Sequence, residues 1–407
     1  LPLIATALLA ISPMFLSSAS AIPPVIYVGD GTIDNPYQIE NCSQLVFVAN
    51  NLEANYKLMN NIDCTTHDVG ITEITPQSFA YDFPIGSEID PFLGSLDGGN
   101  HTITNVDMLE DDLGFTGMFG YIGEGAEVKD LEVTNVVINT NQFYAGALAG
   151  GNSGTITNVT TAGEITGGII TGGLVGSNLG DITDSSTSVE ITSGANSNGG
   201  FVGQNQGTIS HSFATGEVIG GEFTGGFAGE NYGTISQSFS TGNVTGSFTR
   251  VGGFVGSSAA GTITDCFSRG NVNGVDSLGG FVGGSENESA IVNSYSTGTV
   301  TTSLPADPVP DVDSFAGAQN GAISNSFFDA TVVGRSDTTS DAVGKSTSLM
   351  KTKSTFTDAG WDFDSIWAIS SLVNDGYPTF QSYIGADVDD DGISNSVENA
   401  GPNGGDA

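Results

Sequence analysis

Five oxygen-bearing residues have the spacing of a cation-binding loop. Asp387, Asp389, Asp391, Asn395 and Glu398 stand at positions 1, 3, 5, 9 and 12 of one run, with Gly392 at position 6. Alternating carboxylates around a glycine turn can fold onto one hard cation, and an all-oxygen donor set selects Ca2+. The plain alternative is an acidic tail with solvated charges. A second candidate is a carboxylate row: Glu164, Glu190 and Glu217 recur at steps of 26 and 27 residues. Stacked on successive layers they would stand roughly 5 Å apart, near the spacing of a retaining glycosidase pair. The same row continues as Asn243, Asn271 and Thr299, which reads as an exposed polar face. Its neighbours are Gly, Ile and Thr, not the aromatic walls of a sugar cleft. A lyase would need a cationic base, and between Asp130 and Val333 only Arg250 and Arg269 are basic. His211 shares its repeat position with Asn158, Asp184, Gln237, Asp265 and Asn293, a polar corner position and not a catalytic one. No catalytic residue is assigned.

These residues are positioned by a repeat. The segments 172–180, 199–207, 225–233 and 252–261 read GGLVGSNLG, GGFVGQNQG, GGFAGENYG and GGFVGSSAAG. Leu148, Leu174, Phe201, Phe227, Phe254 and Phe281 step by 26, 27, 26, 27 and 27 residues. A period this regular marks a repeat architecture. Each unit offers three short β-branched or aromatic phrases, such as Phe201-Val202, Thr208–Phe213 and Glu217-Val218, separated by Gly, Asn and Ser. No phrase sustains a helical period. One such unit cannot bury its own apolar row, but stacked units bury a continuous one, rising roughly 4.8 Å per coil. The expected fold is an all-β parallel solenoid. Propeller blades usually need about 40 residues or more, which disfavours that alternative. Ile156, Ile182, Ile209, Ile235, Ile263 and Ile291 should form one core ladder. Phe213, Phe239, Phe267, Tyr295 and Phe327 should form a second, aromatic stack, also read as facing inward. Gly163, Gly216, Gly242, Gly270 and Gly298 mark a corner where positive φ or crowding excludes a Cβ.

The phrase G-G-[LF]-V-G-x-N-x-G-x-I-x-x-S-[FY]-S-x-G-x-V resembles the GLUG repeat of bacterial and archaeal surface proteins, over Gly146 to Ala330. GDGTIDNPYQIENCSQL and FLGSLDGGNHTITNV upstream, and AGWDFDSIWAI and NDGYPTF downstream, are similar to segments that flank such repeats. The resemblance implies a right-handed parallel β-helix on a secreted or cell-surface protein, and it implies no activity. GLUG repeats occur in adhesins and also beside IgA-type metalloprotease domains. That protease class needs H-E-x-x-H, and His67, His101 and His211 are not so spaced, so the activity is not carried over. The oxygen-ligand run, with Ile393 at position 7, resembles a thrombospondin type 3 calcium repeat more than an EF-hand.

Charge narrows the partners. Eight Lys plus Arg face 46 Asp plus Glu, a net charge of -38. Such a surface repels nucleic acid and anionic membranes, attracts divalent cations and stays soluble in salt. Residues 1–21 are apolar and end in Ala19-Ser20-Ala21, the form of a signal peptide whose start is missing. Nothing else is long and apolar enough to cross a bilayer. Cys42 and Cys64 lie about one coil apart and either pair in an oxidising exterior or stand as unrelated thiols. Cys266 falls on a row otherwise filled by Ser212, Ser238, Ser294 and Ser326 and reads as a small core substitute.

The chain then divides into a signal peptide (1–21), an N-terminal cap with first coils (22–110), a shaft (111–330), a C-terminal cap (331–383) and an acidic calcium-binding tail (384–407). A short helix is expected near Gln44–Tyr56, and Pro305–Val312 lengthens one corner. The cap at 331–383 is expected to cover the far end with Met350, Phe356, Trp361, Phe363, Ile366 and Trp367. The sequence thus reads as a secreted or cell-surface, non-catalytic structural or adhesive β-helix that meets an extracellular polymer, a cell surface or other copies of itself. The competing reading is a polysaccharide-active enzyme on the same fold.

Overall fold

The computed structural model describes residues 27–65, 83–109, 114–286, 288–303, 312–333 and 340–383. The leader, most of the Pro305–Val312 insertion, His67 and the 384–407 tail lie outside the described residues. A coil is built from strands of two to four residues, shown by Thr208–Ser210, Phe213–Ala214, Val218–Gly220, Thr224–Gly225 and Ala228–Asn231. Each strand pairs, in parallel, only with its copies one coil before and after. Ile156, Ile182, Ile209, Ile235, Ile263, Ile291 and Ile323 are successive register partners. The molecule is therefore the expected all-β solenoid, with two further sheets of eight strands each on its other faces.

Both core ladders are dry. The isoleucine row and the row Leu148, Leu174, Phe201, Phe227, Phe254 and Phe281 are essentially unexposed. Phe201, Phe227, Phe254, Phe281 and Phe315 stack with ring centroids 4.7, 4.8, 4.9 and 4.9 Å apart. Parallel in-register pairing puts each ring directly over its copy. Burying each such side chain contributes about 1.5–3 kcal/mol.

One expected strand is broken, and the break corrects the inward assignment of the second stack. Within Thr208–Phe213, His211 takes a left-handed conformation with φ 49°. The same holds at Asn158, Asp184, Gln237, Asp265, Asn293 and Asn325. This turn inverts the alternation, so Ser212 and Ala214 point inward and Phe213 outward. Phe213, Phe239, Phe267 and Tyr295 do stack, at 4.9, 4.7 and 5.0 Å, but on the flank.

The segment expected to cover the far end instead runs along the flank, where residues 341–383 pack on the outward aromatic row. Val343–Lys345 pairs with Phe327–Asp329 as one more strand. The chain then runs back along the aromatic stack, where Met350, Phe356, Trp361, Phe363, Trp367, Tyr377 and Phe380 join Phe267, Tyr295 and Phe327 in one buried cluster. Trp367 Nε1 donates to Asp265 Oδ1 at 2.9 Å, and Trp361 Nε1 donates to the Asn325 carbonyl at 2.7 Å. Tyr295 Oη donates to the Pro378 carbonyl at 2.6 Å. Tyr383 reaches back to Phe213, with centroids 6.2 Å apart.

Two corner rules recur. Each serine after the left-handed residue accepts an N–H from the preceding coil and donates to the carbonyl two residues back. Ser212, for example, accepts from Ser185 N at 3.2 Å and donates to Ser210 O at 2.8 Å. Cys266 takes the same place, its thiol donating to Thr264 O at 3.3 Å. At the second corner, a Cβ on Gly216, Gly242, Gly270 or Gly298 would lie 1.8–1.9 Å from a carbonyl oxygen of the coil before. Crowding demands glycine there; positive φ applies to Gly163 alone of that row.

At the N-terminal side Cys42 and Cys64 form a disulfide. The helix there is shorter and earlier than Gln44–Tyr56. It spans Cys42–Val46, is capped by Asn41 and runs into a turn ending at Asn50, while Asn55–Leu58 is a strand. Lys57, in that strand, needs an extended backbone to meet Asp97 on the next layer at 2.8 Å.

Two substitutions test this assignment of faces. Phe254→Ala should cost about 3–5 kcal/mol, whereas Phe213→Ala, on the partly exposed end of the flank stack, should cost far less. Gly242→Ala should cost about 1–3 kcal/mol through overpacking. Thermal and denaturant unfolding followed by circular dichroism reads all three, and equal losses at Phe254 and Phe213 would refute the outward placement.

Candidate functional site

The residues that could do chemistry are distributed along different faces of the shaft. Glu164 and Glu190 are register partners, and Glu217 follows one coil later; all three are exposed. Beyond them Asn271 Nδ2 donates to Asn243 Oδ1 at 3.2 Å, and Thr299 Oγ1 donates to Asn271 Oδ1 at 2.7 Å. Like charges stacked at coil spacing repel, so the row stays in water and gives way to amides. His211 is an exposed corner residue, and His101 meets Asn61 Oδ1 at 3.2 Å on the surface. Cys266 is fully buried, and burial pushes its thiol well above the usual cysteine value. Among the described residues no group of three or more His, Cys, Asp or Glu is arranged to hold a metal ion. Asp387, Asp389, Asp391, Asn395 and Glu398, the candidate calcium ligands, lie outside the described residues.

Inside the shaft runs a polar row that the sequence reading did not single out. Asn152 Nδ2 donates to Asn178 Oδ1, Asn178 to Asn205 and Asn205 to Asn231, at 2.8, 2.9 and 2.9 Å, all four side chains being buried. Each amide bonds to its own copy in the next coil, so the row holds the layers together without a charge. Its signal was present as the recurring Asn of the G-x-N phrase.

Every described Lys and Arg is already engaged. Lys57 pairs with Asp97, Lys129 with Glu127, Arg250 with Glu286 and Arg269 with Asp375. Lys345, Lys351 and Lys353 lie over the rings of Phe327, Tyr377 and Phe363. The surface therefore presents uncompensated carboxylates and no free cationic patch among the described residues.

One surface band differs from the rest. Where the two eight-stranded sheets adjoin, Phe115 and Tyr144 are register partners with rings stacked at 4.6 Å. Tyr121 stands edge-on to Phe115 at 5.5 Å, and Phe143 lies 6.4 Å from Tyr144. Further along, Ser197 Oγ and Tyr232 Oη donate to the two oxygens of Glu230 at 2.6 and 2.8 Å. These rings come from irregular early coils, which the repeat pattern could not place side by side.

Comparison with known proteins matches a family motif, sequence relatives and solved structures, among them the following. The family described as the GLUG motif matches residues 249–273 and 274–301, two consecutive copies of the repeat. Halomucin of Haloquadratum walsbyi is 34% identical over 148 residues, 35% of this chain. A "Putative Gly-rich membrane protein" of Evansella cellulosilytica is 32% identical over 150 residues, 36% of this chain. The matched stretch spans 2% of the halomucin and 17% of the Gly-rich protein. A crystal structure described as a "putative immunoglobulin A1 protease from Bacteroides ovatus" has a TM-score of 0.49 at 18% identity, covering 87% of this chain and 94% of its own. An "IgA1 Protease" structure scores 0.43 at 18% identity, covering 72% of this chain and 21% of its own. At these scores neither likeness carries an argument about activity.

Asp265 provides a test of how the flank is held. It is buried, and its carboxyl is raised above the ordinary value, chiefly by desolvation, although Trp367 Nε1 and Asn293 Nδ2 donate to it. A carboxyl with a raised folded-state pKa contributes stability below its unfolded value and loses it as pH rises through the folded value. Asp265→Asn keeps an acceptor and suits the left-handed backbone. Its stability relative to the parent should increase from acidic pH to neutrality and then level off. Melting curves across that range check this, and a parallel pH dependence in both proteins would refute it.

Proposed function

We propose that the protein is an extracellular, non-catalytic β-solenoid that serves as a rigid adhesive or spacing module at the cell surface. The observation that carries this reading is the in-register stack of coils, two of which match the GLUG motif. Its interior is filled by dry ladders, and several outward rows are short polar side chains, a geometry that supplies length and stiffness. The two relatives, one called halomucin and the other a Gly-rich membrane protein, support placement at the exterior. So does the acidic surface, and among the described residues no helix is long and apolar enough to cross a membrane. A rigid acidic shaft keeps its solubility in salt and holds its faces out for an extracellular polymer, a cell surface or another copy of itself.

A polysaccharide-active enzyme is the second reading, favoured by Glu164 and Glu190 being register neighbours. Loss of polysaccharide cleavage in Glu190→Gln would support it. We also propose that Ca2+ binds Asp387, Asp389, Asp391, Asn395 and Glu398, on the spacing alone.

Three measurements test these proposals. Antibody labelling and protease shaving of intact producing cells should find the shaft outside, and a protein reached only after lysis would overturn the surface role. Cleavage assays on neutral and acidic polysaccharides should show no turnover. Calorimetric titration of the whole chain should show calcium binding that Asp389→Ala abolishes; titrations identical to the parent would leave only an acidic tail.

A further inference from the structure

The four rings Phe115, Tyr121, Phe143 and Tyr144 belong to none of the buried hydrophobic clusters of the molecule. That sets them apart from the flank stack, which residues 341–383 cover. Phe143 is 58% exposed, and the other three rings are half-buried against one another. The group is also held in place. Tyr121 Oη and Ser153 Oγ are 2.6 Å apart, and Gly151 leaves room for the Tyr121 ring, since a Cβ there would sit 2.6 Å from a ring carbon. Grouped, fixed and partly exposed aromatic surface marks an interaction site more than a core.

The same band becomes polar further along. Gln206 Nε2 donates to Gln204 Oε1 at 3.1 Å, and Glu230 receives Ser197 and Tyr232. Arg250 lies over Phe223 and is committed to Glu286. The ligand class follows from charge and shape. With every described cation engaged and a net charge of -38, a polyanion finds no free cation among the described residues and much to repel it. An anionic membrane surface is repelled in the same way. Flat rings suit the apolar C–H faces of sugar rings, and amides, hydroxyls and a carboxylate suit their hydroxyl groups. Their succession along one band suits an extended chain.

We infer that this band, anchored on Phe115, Tyr121, Phe143 and Tyr144, binds an uncharged polysaccharide chain lying along the shaft. The inference rests on the reading of the protein as an extracellular adhesive module and names the polymer it meets.

The test uses the whole chain in affinity electrophoresis and calorimetry with glucomannan, xyloglucan, cellohexaose and chitohexaose. Polygalacturonate serves as the polyanionic control. At least one neutral glycan should bind, and Phe143→Ala and Tyr144→Ala should each weaken binding about fivefold to tenfold without moving the melting temperature. Tyr121→Phe, which keeps the ring, should weaken it less. Phe248→Ala, another exposed ring outside the group, should leave it unchanged. If Tyr144→Ala proves unstable, Phe143→Ala alone remains a fair probe because that ring is mostly in water. No neutral glycan binding at about millimolar concentration, or equal binding by Phe143→Ala and the parent, would overturn the inference. So would preference for polygalacturonate, or binding of phosphatidylcholine vesicles in its place. If shaving still places the protein on the cell surface, these failures leave the surface role standing; if shaving fails, that role falls whatever the glycans do.

Discussion

Each coil pairs only with the coil before and the coil after, in parallel and in register. Every side chain therefore lies within about 5 Å of its own copy, and every position must tolerate itself. Phenylalanine does so well, since stacked rings exclude water from both faces. Isoleucine does so by filling the same volume in every layer. Asparagine does so when buried, because one amide donates to the next amide's oxygen. Glutamate does so only in water and for a few layers, and the row then turns to Asn243, Asn271 and Thr299. The conservatism of the repeat is thus a consequence of hydrogen-bond geometry, without any appeal to function.

The corners follow from the same constraint. A coil must turn within a few residues, and each turn needs a backbone state that can be repeated layer upon layer. One corner uses a left-handed polar residue followed by serine. The serine hydroxyl satisfies both an N–H from the coil before and a carbonyl of its own coil. Cys266 fits because a thiol is small and can still donate. The other corner brings a carbonyl so close to the next coil that only glycine fits.

Two aromatic surfaces arise outside the core, with different fates. The stack from Phe213 to Tyr295 is covered, least at its Phe213 end, by residues 341–383, whose Trp361, Trp367 and Tyr377 bury their ring bodies and hydrogen-bond through their polar tips. That cover is held by hydrogen bonds from Trp367 to Asp265 and from Tyr377 to Asp329, by the Arg269–Asp375 pair and by apolar area. The group around Phe143 has no such cover among the described residues. Other exposed apolar residues, such as Leu179, Ile219 and Phe248, have no ring stacked on them among the described residues, whereas here four rings share one surface, and contact with a partner would expel their apolar area from water.

The 26–27-residue period alone determined the solenoid, the parallel stacking and the isoleucine ladder, because in-register pairing turns a sequence interval directly into a spatial neighbour. The corner glycines, the serine row holding Cys266 and the polar position of His211 were legible for the same reason. The facing of the Phe213 row was not. A single left-handed residue at 211 inverts the alternation after it, and only a backbone conformation reveals that inversion. The cover at 341–383 was legible as an apolar cluster, but its place along the flank depended on where Asp265, Arg269 and Tyr295 stand in space. The rows that hold Phe115, Tyr144 and Tyr121 continue as Ile170 and as Gly151, Ser177 and Gln204, so no recurring aromatic marks them in the sequence. Only the closing of the early coils against one another brought those rings together.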